Sequence, residues 1–207
     1  MKKFYLSIAM VVLLVAVMNF HLLPKILHEI LGLTLFAATA VHLYWNRRAL
    51  TSTNKFFLII DVLLIVAGII VTATGICISH HLFKGLIDMH IQRNITIHQL
   101  HVSIPFAMLI LIGLHFGHNW AGFYQRFKRA FNLNIAPTVE KILVIAFCAI
   151  GIVGVYMDQF FDRLLMKHIF ATPATQLPLG IYFVLVTGMI ALFTAIGFFV
   201  DRLIKKF

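Results

Sequence analysis

The segment from Ile26 to Asn46, ILHEILGLTLFAATAVHLYWN, decides how the chain is to be read. It is almost wholly apolar and about as long as the roughly 20 helical residues that a bilayer core takes. It also carries a histidine near each end, and His28 and His42 are 14 residues apart (42 − 28). At about 100° per residue, that interval falls about 40° short of four turns, so the two imidazoles share one helix face about 21 Å apart. Further along, HQLHVSIPFAMLILIGLHFGHN from His98 to Asn119 repeats the pattern, with His101 and His115 again 14 apart (115 − 101).

Working outward, the chain has 207 residues, 61% hydrophobic and 12% charged, and a mean hydropathy of +0.98. A soluble domain needs far more polar surface, so the expected class is an all-α integral membrane bundle. The hydropathy pattern predicts six spans, at Phe4–Phe20, Ile26–Trp45, Phe56–Ser79, Ile97–His118, Ile142–Tyr156 and Leu179–Val200. Lys2 and Lys3 before an apolar run resemble a signal peptide. No small-x-small cleavage site follows, however, and the segment is read as a span. The net charge of +10 is not read as a nucleic-acid surface, because the basic residues lie in short clusters between apolar stretches, as cytoplasmic loops do. Cys77 and Cys148 stand singly and are expected to be buried thiols.

With the N-terminus inside, one side carries Lys2, Lys3, Arg47, Arg48, Lys55, Arg126, Lys128, Arg129, Lys141, Arg202, Lys205 and Lys206. The other carries Lys25, Lys84, Arg93, Arg163 and Lys167. That bias puts both termini in the cytoplasm and makes the second and fourth spans parallel, so His28 is level with His101 and His42 with His115. Lys3-Phe4-Tyr5-Leu6 and Lys55-Phe56-Phe57-Leu58 open the first and third spans alike. This predicts a duplicated two-helix unit over residues 1–125. Residues 126–207 are expected to add a two-helix packing hairpin in the same membrane domain.

Two parallel helices offering imidazoles at two matching depths suit two haem b groups. Each iron would be ligated by two neutral histidines: His28 with His101 toward the outside, and His42 with His115 toward the inside. A single histidine in a span is ordinarily a packing residue or part of a proton path; the joint spacing favours ligation here. Gly32, one turn from His28, and Ala38, one turn from His42, would leave room for a macrocycle, and Pro105 at the position matching Gly32 would bend the fourth span. His98 and His118 lie one turn outside their neighbours. The pairs His98–His115 and His101–His118 are each 17 apart (115 − 98, 118 − 101) and so about 100° off a common face. They are expected to contact ligands or propionates, with His98 the better substitute ligand. Arg47, Arg48 and Arg126, with Lys128 and Arg129, would meet inner propionates, and Lys25, Lys84 or Arg93 outer ones. Topology signalling and anionic lipid account for these charges equally well.

Asp61 is read either as a proton-path or quinone contact or as a side chain snorkelling to the interface. His80, His81 and His90 lie in the loop after the third span without ligand spacing. His21 and His168 carry no sharp signal, and no phosphate loop, nucleophile triad or catalytic residue is discernible.

His28-Glu29-Ile30-Leu31-Gly32 with His42-Leu43-Tyr44-Trp45-Asn46, Thr74-Gly75-Ile76-Cys77-Ile78-Ser79, and His98, His101 and His115-Phe116-Gly117-His118-Asn119-Trp120 together resemble the flavinylation-associated cytochrome family of bacterial inner membranes. The resemblance covers roughly residues 1–125. It implies a haem-bearing membrane subunit that passes electrons from quinol or a cytoplasmic-side donor to an extracytoplasmic flavoprotein or other redox partner. The rival expectations are a self-contained quinone-reactive cytochrome b and a histidine-lined transporter of metal ions or protons.

Overall fold

A computed structural model describes residues 2–47, 55–167 and 171–206; Arg48 and His168 lie outside the described residues. Those residues form helices α1 (Lys2–Met18), α2 (Lys25–Asn46), α3 (Lys55–Cys77), α4 (Met89–Gln92), α5 (Ile95–His118), α6 (Trp120–Ala130), α7 (Pro137–Met157), α8 (Phe160–Leu164) and α9 (Leu179–Ile204). No strand occurs among them. Five helices, α2, α3, α5, α7 and α9, are long and apolar enough to cross a membrane. The apolar α1 has 17 residues. Ile59, Ile69, Ile145, Ile152 and Phe199 are exposed on the outside of the bundle, and an apolar surface of this extent belongs in a lipid bilayer.

The six long helices run alternately up and down. At the end bearing the chain termini, Lys3 Nζ on α1 donates to the Trp45 carbonyl of α2 at 2.6 Å. At the far end, Ser103 Oγ on α5 donates to the Leu164 carbonyl at 2.6 Å and the Gln99 amide to the Met166 carbonyl at 3.2 Å. The core lies between α1, α5 and α9, where Val15, Leu109, Val186 and Met189 are fully buried. Small residues bring the backbones together, as is usual where no hydrophobic driving force separates helix from lipid. A Cβ on Gly113 would strike Phe193, one on Gly117 the backbone of Thr194 to Phe198, and one on Gly151 the Gly188 carbonyl. The C-terminal hairpin is therefore no appendage: α9 buries nine residues from Tyr182 to Asp201 and backs α5 along most of its length.

Two further features depart from the sequence reading. Residues 120–130, treated there as a basic loop, form the amphipathic α6. Its Phe123 and Phe127 pack on Phe4 of α1, an arrangement suited to a membrane interface. Arg163, counted among the loop charges, is 1% exposed. The left-handed residue Gln159 (φ 49°) turns the chain back into the bundle, so Arg163 packs over Phe106 and lies 3.5 Å from Asp158. Burial pushes the Asp158 carboxyl above its ordinary range, and Arg163, Thr172 and Tyr182 pull it back. Cys77 and Cys148 are free and half-buried.

Candidate functional site

α2 and α5 face each other across two pairs of imidazoles. The ring centres of His28 and His101 are 6.1 Å apart with planes at 85°; those of His42 and His115 are 6.5 Å apart at 72°. Matching intervals on helices that run the same way bring the four side chains to two levels, as the spacing predicts. Two imidazoles that grip one metal ion through nitrogens about 2 Å away stand roughly 6 Å apart at their centres, and both pairs meet that separation.

The partners of each ring fix which nitrogen is available. His101 Nδ1 lies 3.0 Å from the Val71 carbonyl of α3 and 3.3 Å from Thr74 Oγ1. A carbonyl only accepts, so Nδ1 carries the proton and Nε2 keeps its lone pair. His115 Nδ1 lies 2.6 Å from Asp61 Oδ1, and the carboxylate imposes the same tautomer. Asp61 is thus bonded to one of the four histidines rather than turned out to the interface. On α2, His42 Nδ1 is buried without a hydrogen-bond partner, and the Val17 carbonyl lies beside His28 without forming an aligned bond to its Nδ1.

α3 serves α5 at both levels because Asp61 and Gly75 are also 14 residues apart (75 − 61) on an antiparallel neighbour. A Cβ on Gly75 would come within 2.8 Å of His101 Cε1, so the glycine lets the edge of that ring approach α3 closely. Gly32 is the opposite case: a Cβ there meets nothing within 4 Å, and α2 as a whole has no fully buried residue.

Glu29, next to His28, faces away from the rings. Its carboxylate accepts from Ser79 Oγ and the Leu82 amide at 2.8 Å, from His80 N at 3.1 Å and from His81 N at 3.3 Å. It thereby anchors α2 to the loop after α3. His80, His81 and His90 are exposed there.

The remaining candidates fall outside the two pairs. His98 Nε2 is 3.0 Å from the Gln92 carbonyl, which holds it to the loop before α5. His118 Nδ1 is 2.6 Å from Asp201 Oδ1 on α9, and its ring stacks on Phe57 at 3.8 Å. Pro105 lies inside an α5 that continues through it; lacking an N–H, it leaves the His101 carbonyl without its usual helical donor. Arg47 is exposed and folds onto Tyr44 of its own helix, and the exposed Arg126 donates to the Gly122 carbonyl. Neither reaches the imidazoles.

At each level the two imidazoles stand at the separation that a pair of ligands to one iron takes. Among the described residues, no group of three or more His, Cys, Asp or Glu stands ready to hold a metal ion. Two protein ligands suffice where a macrocycle supplies the other four. Comparisons with protein-family models, with curated proteins and with solved structures find no match to this chain.

Proposed function

We propose that the chain is a six-span diheme cytochrome b of a bacterial cytoplasmic membrane, with both termini in the cytoplasm, that carries electrons across the bilayer. The observation that carries the reading is the pair of ring separations, 6.1 and 6.5 Å, at two levels of one helix pair. His42 and His115 would hold the inner haem, His28 and His101 the outer. Each haem, when bound, supplies one-electron chemistry through its iron.

The chain's part is to hold and to insulate. The Val71 carbonyl and the Asp61 carboxylate keep the Nδ1 protons of His101 and His115 in place and so present Nε2. Gly75 lets one ring seat against α3, and a macrocycle at the outer level would need the room that Gly32 leaves open. The apolar helices keep water away and lower the local dielectric. Quinol or another donor on the cytoplasmic side would supply electrons, and an extracytoplasmic flavoprotein or other redox partner would take them. The resemblance in residues 1–125 implies that direction, and the charge bias of the loops sets which haem lies toward the cytoplasm.

The test is a dithionite-reduced minus oxidised absorption spectrum of the purified protein with a pyridine haemochrome assay. A b-type α band and two haems per chain are expected. Colourless protein would end the reading and turn attention to ion transport.

A further inference from the structure

We infer that Asp61 sets the order of the two haem potentials, making the inner centre the lower one, so that an electron moves outward downhill. This rests on the haem-binding reading above.

The two levels differ in what faces the non-ligating nitrogen of the α5 imidazole. At the inner level it is a carboxylate, with Asp61 Oδ1 2.6 Å from His115 Nδ1. At the outer level it is the neutral Val71 carbonyl at 3.0 Å, with the Thr74 hydroxyl at 3.3 Å. A carboxylate in a charge-assisted hydrogen bond makes the imidazole a stronger donor and places negative charge near the iron. Both effects favour ferric over ferrous iron, and a low-dielectric surround enlarges them.

The other charges near the two levels do not reverse the asymmetry. Glu29 lies beside the outer pair and keeps its charge, but its carboxylate bonds the 79–82 loop and not an imidazole, so it lacks the direct bond that Asp61 makes. Asp201, near the inner end, is held by His118 and Lys205. Lys3 opposes Asp61 at His42, but its Nζ is exposed and spent on Trp45 and Asn46, where water and salt screen it. α1 contains no Asp or Glu, so His42 has no equivalent of Asp61 from its own neighbour. With both haems bound, one electron would leave the inner ferrous iron, which would become ferric, and would reduce the outer ferric iron to ferrous. No proton moves and no bond is made or broken.

The experiment is an equilibrium redox titration of the haem-loaded, full-length protein, followed at the α band, in wild type, Asp61→Asn and Asp61→Glu. In Asp61→Asn the lower midpoint is expected to rise, with a roughly tenfold larger ferrous-to-ferric ratio at the wild-type midpoint, equivalent to about 59 mV for one electron. The higher midpoint should hold, and Asp61→Glu should keep both near wild type. Two bound haems with neither midpoint moved, or with the higher one moved, would overturn the inference and leave the haem reading intact. If Asp61→Asn retains one haem, a survivor at the higher wild-type potential supports the inference, and one at the lower overturns it. A wild-type protein without haem would end both.

Discussion

At the far end, the His28–His101 pair is framed by backbone and by missing side chains. The Val71 carbonyl orients His101, Gly75 lets the ring edge come close to α3, and nothing lies within 4 Å of a Cβ at Gly32. At the termini end, His42–His115 is framed by a charged group, the Asp61 carboxylate. The pairs have nearly equal separations and matching sequence intervals, yet their surroundings are chemically distinct. Spacing along a helix sets where two ligands meet, whereas the neighbouring helix sets how strongly they bind and what charge they see.

The comparison can be broken most severely at the ligands. Replacing His28 or His115 by Ala is expected to reduce the haem count from two per chain to one, each variant keeping the spectrum that the other loses. The same change at His98 or His118 should leave two haems, because those rings are held by Gln92 and Asp201. A pyridine haemochrome assay reads all four variants, and loss of haem from His98→Ala would reassign the outer ligand.

Next in size is Gly32→Leu. A side chain there meets no protein atom near its Cβ, so the haem-free protein should keep its helix content and melting temperature. Haem affinity at the far end should fall at least tenfold, since the added side chain occupies the volume a macrocycle needs. Unchanged haem content would mean that the space beside Gly32 is open to lipid.

Gly75→Ala is gentler. Its Cβ would press to 2.8 Å from His101 Cε1, and the ring would have to turn away from Val71. A changed low-spin ferric signal at one centre is expected, with the other unaltered, read by low-temperature electron paramagnetic resonance. A change at the inner centre alone would contradict the packing described.

Five of the six expected spans and the level histidines were legible in the sequence because lipid demands about 20 apolar residues and a helix has a fixed pitch. Asp61's partner was not. α3 is apolar all round, so its sequence carries no periodicity to say which face meets α5, and only the folded rotation brings Asp61 to His115. α6 escaped because 11 residues are too few to span, although Phe116, Trp120, Phe123 and Phe127 follow helical spacing. The central place of α9 did leave a trace: Gly113 and Gly117, together with Gly188 and Gly197, mark where backbones touch.

The contrast between the two histidine-bearing helices also bears on how the protein is assembled. α5 is seated on α9 through glycine contacts, whereas α2 has no residue fully buried. The α5–α9–α7 side is thus the more closely packed wall of the bundle, and α2 the more loosely packed one. Before haem is inserted, the amide hydrogens of α2 should exchange with solvent deuterium sooner than those of α5.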